Sequence, residues 1–445
     1  MNSLFELLKV QDCENKEKTA AALTILQQKL NKCMAGGELI EKKNVSSVSD
    51  KVLSQDGRFI LALEDLKKNN EKFVDQDFKP EASSLNITPE KVDRWQHFEW
   101  KRATEILMLN KDMEKREIFS GKIDHKSIRQ GELGNVYFLS VLSILAEKPH
   151  RIRDLFITQD VNDHGFYVLR MCVGGEWVQI IIDDFVPCYA DQPVFSNTKG
   201  RELWVLLAEK AWAKIHRSYQ SIEGGFSDEV FHELTGAPTE FVRTKDELFL
   251  EKLTKACENK ALVAASSSAT GNSAAKEALN EVGMTAAHCY AILGLHELIG
   301  EGGEVKRLVK LRNPWGLFKW TGEYSDESMA WTEETKKQCG WTETDDGSFF
   351  MTLDELKLHF ILVFICHIRD FANYHHSSFQ SVHHKNYFSL IRFSAEGPTS
   401  HAYLSVLQTS QCLNDCPYSN VRLALAKIEE SGELTYKEGK MERKR

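Results

Sequence analysis

Residues 130–139 read Gln130-Gly131-Glu132-Leu133-Gly134-Asn135-Val136-Tyr137-Phe138-Leu139, a polar stretch that opens an apolar helix. Two further segments stand far from it in sequence. One is His288-Cys289-Tyr290, at the start of a predicted strand, and the other is Arg312-Asn313-Pro314-Trp315-Gly316. Beside them lie Gly175-Glu176-Trp177-Val178, the paired Asp183-Asp184, Glu202-Leu203-Trp204 and the run Glu209 to Lys214.

Working outward, Trp177 to Asp183 is a short β-rich run with a polar exit, and Leu203 to Ala213 is helical, with Leu203, Leu206, Leu207 and Trp212 as its apolar residues. Ala261 to Ser266, Cys289 to Gly294 and Val309 to Arg312 are predicted strands. A mostly helical stretch followed by a mostly β stretch predicts an α+β fold with a helical lobe, 96–240, and a sheet-rich lobe, 241–370. Before them, Leu4, Leu7 and Leu8, then Leu23, Leu26 and Leu30, recur at helical spacing, and a further helix is expected near Asp56 to Phe73. Residues 1–95 are therefore expected to form a helical extension. After Asp370 comes a polar segment with His375, His376, His383 and His384, read as exposed linker histidines. Strands are expected at Tyr387 to Phe393, Ala402 to Gln408, Val421 to Ile428 and Leu434 to Tyr436, a partial β-sandwich over 371–445.

Taken together, these segments resemble the protease core of the calpains, papain-like cysteine endopeptidases, over about three-fifths of the chain from Trp100 to Ile368. The family's nucleophile motif, Gln-Gly-x-Leu-Gly-Asp-Cys-Trp-Phe-Leu, aligns with 130–139 without a gap. The resemblance makes His288 the general base, Asn313 its orienting partner and Gln130 the oxyanion donor. In that chemistry a cysteine at the first turn of a helix is held as thiolate by the helix dipole. Here the matching position is Val136, with Asn135 in place of aspartate and Tyr137 in place of tryptophan. Valine has no heteroatom to acylate, and removing the nucleophile from such a unit costs on the order of 10⁶ in turnover. Ser140 lies one helical turn deeper and Cys289 sits in a strand whose pleat turns it from His288, so neither replaces it. Without a thiol, His288 reads as a satisfied interior histidine, Asn313 as a turn-former and Gln130 as a backbone cap; that reading outweighs catalysis.

The same resemblance implies two calcium sites that draw the lobes together. Glu202 falls on a ligand position of one, but Ser127 stands where the family has aspartate. Asp326 and Asp346 fall on ligand positions of the other, but Lys319 and Ser348 replace glutamates, and an ammonium beside the ion repels it. No cofactor is expected, and calcium binding is expected to be weak or absent. No Asp-x-Asp-x-Asp-Gly run marks an EF-hand.

Composition narrows the rest. The chain of 445 residues is 42% hydrophobic and 27% charged with a formal charge of -9, ordinary for a soluble globular protein and without the basic excess that nucleic acid demands. Its longest apolar run, about Phe360 to Cys366, is far short of the ~20 residues a membrane span needs. With no export signal read at the amino terminus, the ten cysteines read as reduced thiols and the expected compartment is the cytoplasm. Cys412 and Cys416 lack a second ligand pair for zinc. The resulting expectation is a protease-shaped protein that does not cut. It would bind proteins or extended peptides, cytoskeletal ones by resemblance, and act as scaffold or regulator. The alternative is an active calcium-dependent cysteine endopeptidase.

Overall fold

The computed structural model describes residues 4–9, 64–86, 95–106 and 116–368, with short interruptions at 122, 199, 268–272, 287, 300–302, 314–319 and 343–346, and then 390–394, 423–428 and 434–437. The chain divides into two compact units, one combining Met1–Ser47 with His376–Arg445, the other spanning Val48–His375.

In the first unit a four-stranded sheet runs in the order Leu390–Ser394, Leu4–Lys9, Leu423–Ile428, Leu434–Lys437. Leu4–Lys9 is antiparallel to both of its neighbours, with Leu7 opposite Ile391 on one side and Leu425 on the other. The helix expected at Leu4, Leu7 and Leu8 is thus corrected to a strand. Spacing of leucines fits a helix face, but two backbone ladders to distant segments outweigh local propensity. The expected helix at Leu23 to Leu30, the histidines after Asp370, the strand at Ala402 to Gln408, and Cys412 and Cys416 lie outside the described residues. Residues 64–69 are helical, within the stretch expected from Asp56 to Phe73.

The second unit opens with a helix-rich part: helices Val136–Ala146 (α1), Trp204–Ile215 (α2) and Ser227–Thr235 (α3), and the antiparallel hairpin Phe166–Val173 (β1) and Glu176–Asp183 (β2). From Tyr137 to Ala146 every residue of α1 is buried, as its nearly all-apolar sequence demands. Phe78, Leu85 and Trp95 pack into the same core. The buried face of α2 also carries Glu209 and Lys210, and charges this deep require partners. Lys210 Nζ donates to Asp183 Oδ1 and, at 2.6 Å, to the Phe185 carbonyl. Lys214 Nζ donates to Asp75 Oδ2 at 2.7 Å, and Arg102 Nη1 to Asp184 Oδ1 at 2.6 Å. The paired aspartates at the end of β2 are therefore structural anchors for two cationic side chains, Lys210 and Arg102, and Asp183 Oδ2, accepting from Asp75 N at 2.8 Å, ties in the segment before residue 80.

A six-stranded antiparallel sheet follows, built from Thr239–Arg243 (β3), Leu262–Ser267 (β4), Cys289–Ile299 (β5), Val305–Arg312 (β6), Ser348–Thr352 (β7) and Phe360–Cys366 (β8). Their order is β7-β6-β5-β4-β8-β3. The period-2 alternation of strands sends Val263, Ala265, Tyr290, Ile292, Val363 and Ile365 to one core, shared with Phe249 and Leu253 of the helix Phe249–Glu258. It sends Ala264, Cys289, Ala291, Phe364 and Cys366 to the other, where they meet α1 and α3. Both faces of the sheet are buried, and one of them is continuous with the helix-rich core.

Candidate functional site

The loop 130–135 is shaped by close backbone approach. A Cβ on Gly131 would lie 2.0 Å from the Phe195 carbonyl oxygen and 2.2 Å from that of Val194, so only glycine fits. Glu132 N donates to Val194 O at 2.8 Å, and Gly224 N donates to Gly134 O at 2.9 Å. Gln130 is half-buried and its Nε2 donates to the Leu133 carbonyl at 2.7 Å, which holds the amide against the loop.

Asn135 precedes α1 but does not cap it with its side chain. Its Nδ2 donates instead to Glu209 Oε1 at 2.6 Å, and Ser196 N donates to Glu209 Oε2 at 3.1 Å. Burial pushes the Glu209 carboxyl up to about 7, partly opposed by these donors. Sequence reasoning gave Glu209 no role. The available signal was a carboxylate between Ala208 and Lys210 on an otherwise apolar helix. Val136 is the first residue of α1 and is half-buried. Tyr137 turns inward, donating from its hydroxyl to Ile222 O at 3.1 Å and accepting from Trp212 Nε1 at 3.3 Å. Its ring packs so closely that a Cβ on Gly225 would meet it at 2.5 Å.

On the sheet side, His288 enters β5 and Asn313 leaves β6, and the adjacency of those strands joins two residues 25 apart in sequence. His288 Nε2 faces Asn313 Oδ1 at 3.0 Å, with both residues 1% exposed. The imidazole with its proton on Nε2 satisfies that contact and leaves Nδ1 as the acceptor atom. Ser267 clamps the same residue: His288 N donates to Ser267 Oγ at 3.0 Å, and Ser267 N donates to His288 O at 2.9 Å. Burial lowers the imidazole to about 4, with the Asn313 bond opposing, so the ring is neutral at pH 7. A thiolate partner would stabilise an imidazolium, and Val136 supplies no such charge.

The two residues weighed as substitutes for sulfur are engaged elsewhere. Ser140 Oγ donates to the Cys289 carbonyl at 3.1 Å. Cys289 is fully enclosed, 3.3 Å from Ser227 Oγ, and burial raises its thiol to about 11, far from a reactive thiolate.

The described residues matched to calcium ligands are engaged as follows. Glu202 Oε1 accepts from Ser120 N at 3.1 Å and Oε2 from Trp204 Nε1 at 3.3 Å. Ser127 Oγ donates to the Asp124 carbonyl at 2.7 Å. Asp326 is exposed and Ser348 is buried in β7, while Asp346, Lys319 and Trp315 lie outside the described residues. Among the described residues no group of three or more His, Cys, Asp or Glu side chains is placed to hold a metal ion. Nor does any described helix have the length and apolarity to cross a membrane.

The profile of the calpain family cysteine protease domain matches residues 73–367. The chain belongs to the calpain family. It is 31% identical over 317 residues to the calpain-type cysteine protease ADL1 of Oryza sativa subsp. japonica, covering 68% of this chain and 14% of that relative. It is 32% identical over 320 residues to the calpain-type cysteine protease DEK1 of Zea mays, covering 68% of this chain and 14% of the relative. To Calpain-9 of Mus musculus it is 33% identical over 281 residues, 61% of this chain and 39% of the relative. This calpain-family chain therefore spans well under half the length of each of these relatives.

Proposed function

We propose that this calpain-family chain is proteolytically silent and that its core, two papain-like lobes around a cleft, holds an extended segment of another protein. The observation that carries the reading is Val136 at the first turn of α1, where the family resemblance places the nucleophilic sulfur. A branched alkyl side chain cannot form a thioester, and neither Ser140 nor Cys289 offers an oxygen or sulfur free of other engagements. The reading is supported by the pairing of His288 with Asn313, and by Gly131 and Gly225, where a Cβ would meet the Phe195 carbonyl and the Tyr137 ring respectively. Retention of that frame supports binding by main-chain hydrogen bonds rather than collapse of the cleft. Scaffolding or regulation in the cytoplasm, with protein partners that include cytoskeletal ones, is the role proposed, without calcium as an obligate ligand and with the four-stranded sheet of the first unit as a further partner surface.

The intact His288–Asn313 pair is the one feature that favours the second reading, a working endopeptidase. Incubation with unfolded casein, with and without calcium, separates the two, using the natural chain and its Val136→Cys variant. The expected result is no cleavage by the natural chain and measurable cleavage by the variant. Cleavage by the natural chain overturns the proposal.

A further inference from the structure

The sheet-rich and helix-rich parts meet at a set of contacts that the family chemistry does not use. Arg312 is the last residue of β6, immediately before Asn313, and is 3% exposed. Its Nη2 pairs with Glu147 Oε1, and Glu147 is the residue that ends α1. His125 Nδ1 lies 3.6 Å from the same carboxylate oxygen and 3.3 Å from Asp124 Oδ1. A second attachment lies two helical turns back along α1, where Ser140 Oγ donates to the Cys289 carbonyl at 3.1 Å. Residues 140 and 147 are about 10 Å apart along a helix rising 1.5 Å per residue. Two grips at that separation fix both the distance and the tilt of α1 against the β5–β6 pair. Cys289 Sγ against Ser227 Oγ at 3.3 Å, and Thr235 Oγ1 against Cys366 Sγ at 3.5 Å, extend the seam to α3.

We infer that Arg312 and Glu147, with His125 beside them, form a clasp that holds the two parts closed, so that the His288–Asn313 pair stays registered with the first turn of α1 without any bound divalent cation. The chain of contacts is closed on itself: Glu147 to Arg312, its neighbour Asn313 to His288, its neighbour Cys289 to Ser140, and back along α1. Taking away Glu147 leaves a guanidinium buried without its carboxylate, which is the costly way to break an ion pair. Opening then exposes Cys289, which lies in the seam. The inference concerns closure alone, so it stands or falls separately from peptide binding or cleavage.

The test is alkylation of the full chain by N-ethylmaleimide, with the rate at each cysteine read by peptide mass spectrometry, in chelator or in millimolar calcium. Cys172 is fully buried in β1 on the helix-rich side, its Sγ 4.0 Å from His232 Nε2 of α3, and reports on unfolding of that part. The natural chain is expected to label slowly at Cys289, at the same rate with and without calcium. Glu147→Arg and Arg312→Glu alone are each expected to raise the Cys289 rate about tenfold or more while Cys172 stays slow. The double exchange, which restores opposite charges, is expected to return Cys289 toward its natural rate. Unchanged Cys289 labelling in the single variants, a parallel rise at Cys172, failure of the double exchange to restore protection, or slowing of the natural chain by calcium would each overturn the clasp.

Discussion

Two buried groups near the site titrate in opposite directions over one pH window, and the difference between their variants can be measured. His288 is lowered from 6.5 to about 4, and Glu209 is raised from 4.5 to about 7, each by burial. The folded chain binds fewer protons at His288 than the unfolded one, so the stability His288 contributes above pH 6.5 is lost as the pH falls toward 4. At Glu209 the folded chain binds more protons, so its contribution is full below pH 4.5 and is lost as the pH rises through about 7. Integrated between pH 7 and 4.5, each group is worth on the order of 2–3 kcal/mol, and the two act in opposite directions in the natural chain. Acidification over that interval should therefore stabilise His288→Gln by roughly 2–3 kcal/mol relative to the natural chain, and destabilise Glu209→Gln by a similar amount. Urea unfolding at the two pH values, followed by tryptophan fluorescence, gives both numbers; other histidines drop out of the comparison because every chain carries them. If His288→Gln and the natural chain respond identically to acid, His288 is not the enclosed neutral imidazole described above, and the assignment of its environment fails.

Other outcomes follow from single contacts. Lys210→Met should cost about 3–5 kcal/mol in thermal or chemical unfolding, because it strands the fully buried Asp183 carboxylate without its ammonium partner. Gly131→Ala should cost about 2–3 kcal/mol, since its Cβ meets backbone oxygens rather than a movable side chain; a neutral result would mean the loop relaxes away from Val194 and Phe195. Tyr137→Phe should cost about 1–3 kcal/mol by leaving the Ile222 carbonyl and the Trp212 indole without their shared hydroxyl, and an unchanged melting temperature would show that water or a rearrangement replaces it.

Much of the core was legible in the order of its residues. Local patterns sufficed for α1, α2 and the strands β2, β4, β5 and β6, because apolar periodicity and the polar residues that punctuate it are properties of consecutive residues. The motifs around Gln130, Val136, His288 and Asn313 carried the family, and that position 136 holds a branched alkyl side chain needs no coordinates to be read. Other features depended on which segments meet. Leu4–Lys9 has leucines at helical spacing, yet pairing with Leu390–Ser394 and Leu423–Ile428 makes it a strand. Glu209 became the support beneath Asn135 only because α2 passes under the start of α1, and Arg312 gained Glu147 only because β6 ends where α1 does. Periodicity records which face of an element is apolar, whereas the partner of a buried charge or a backbone ladder is set by long-range packing, and that the tertiary structure alone decides.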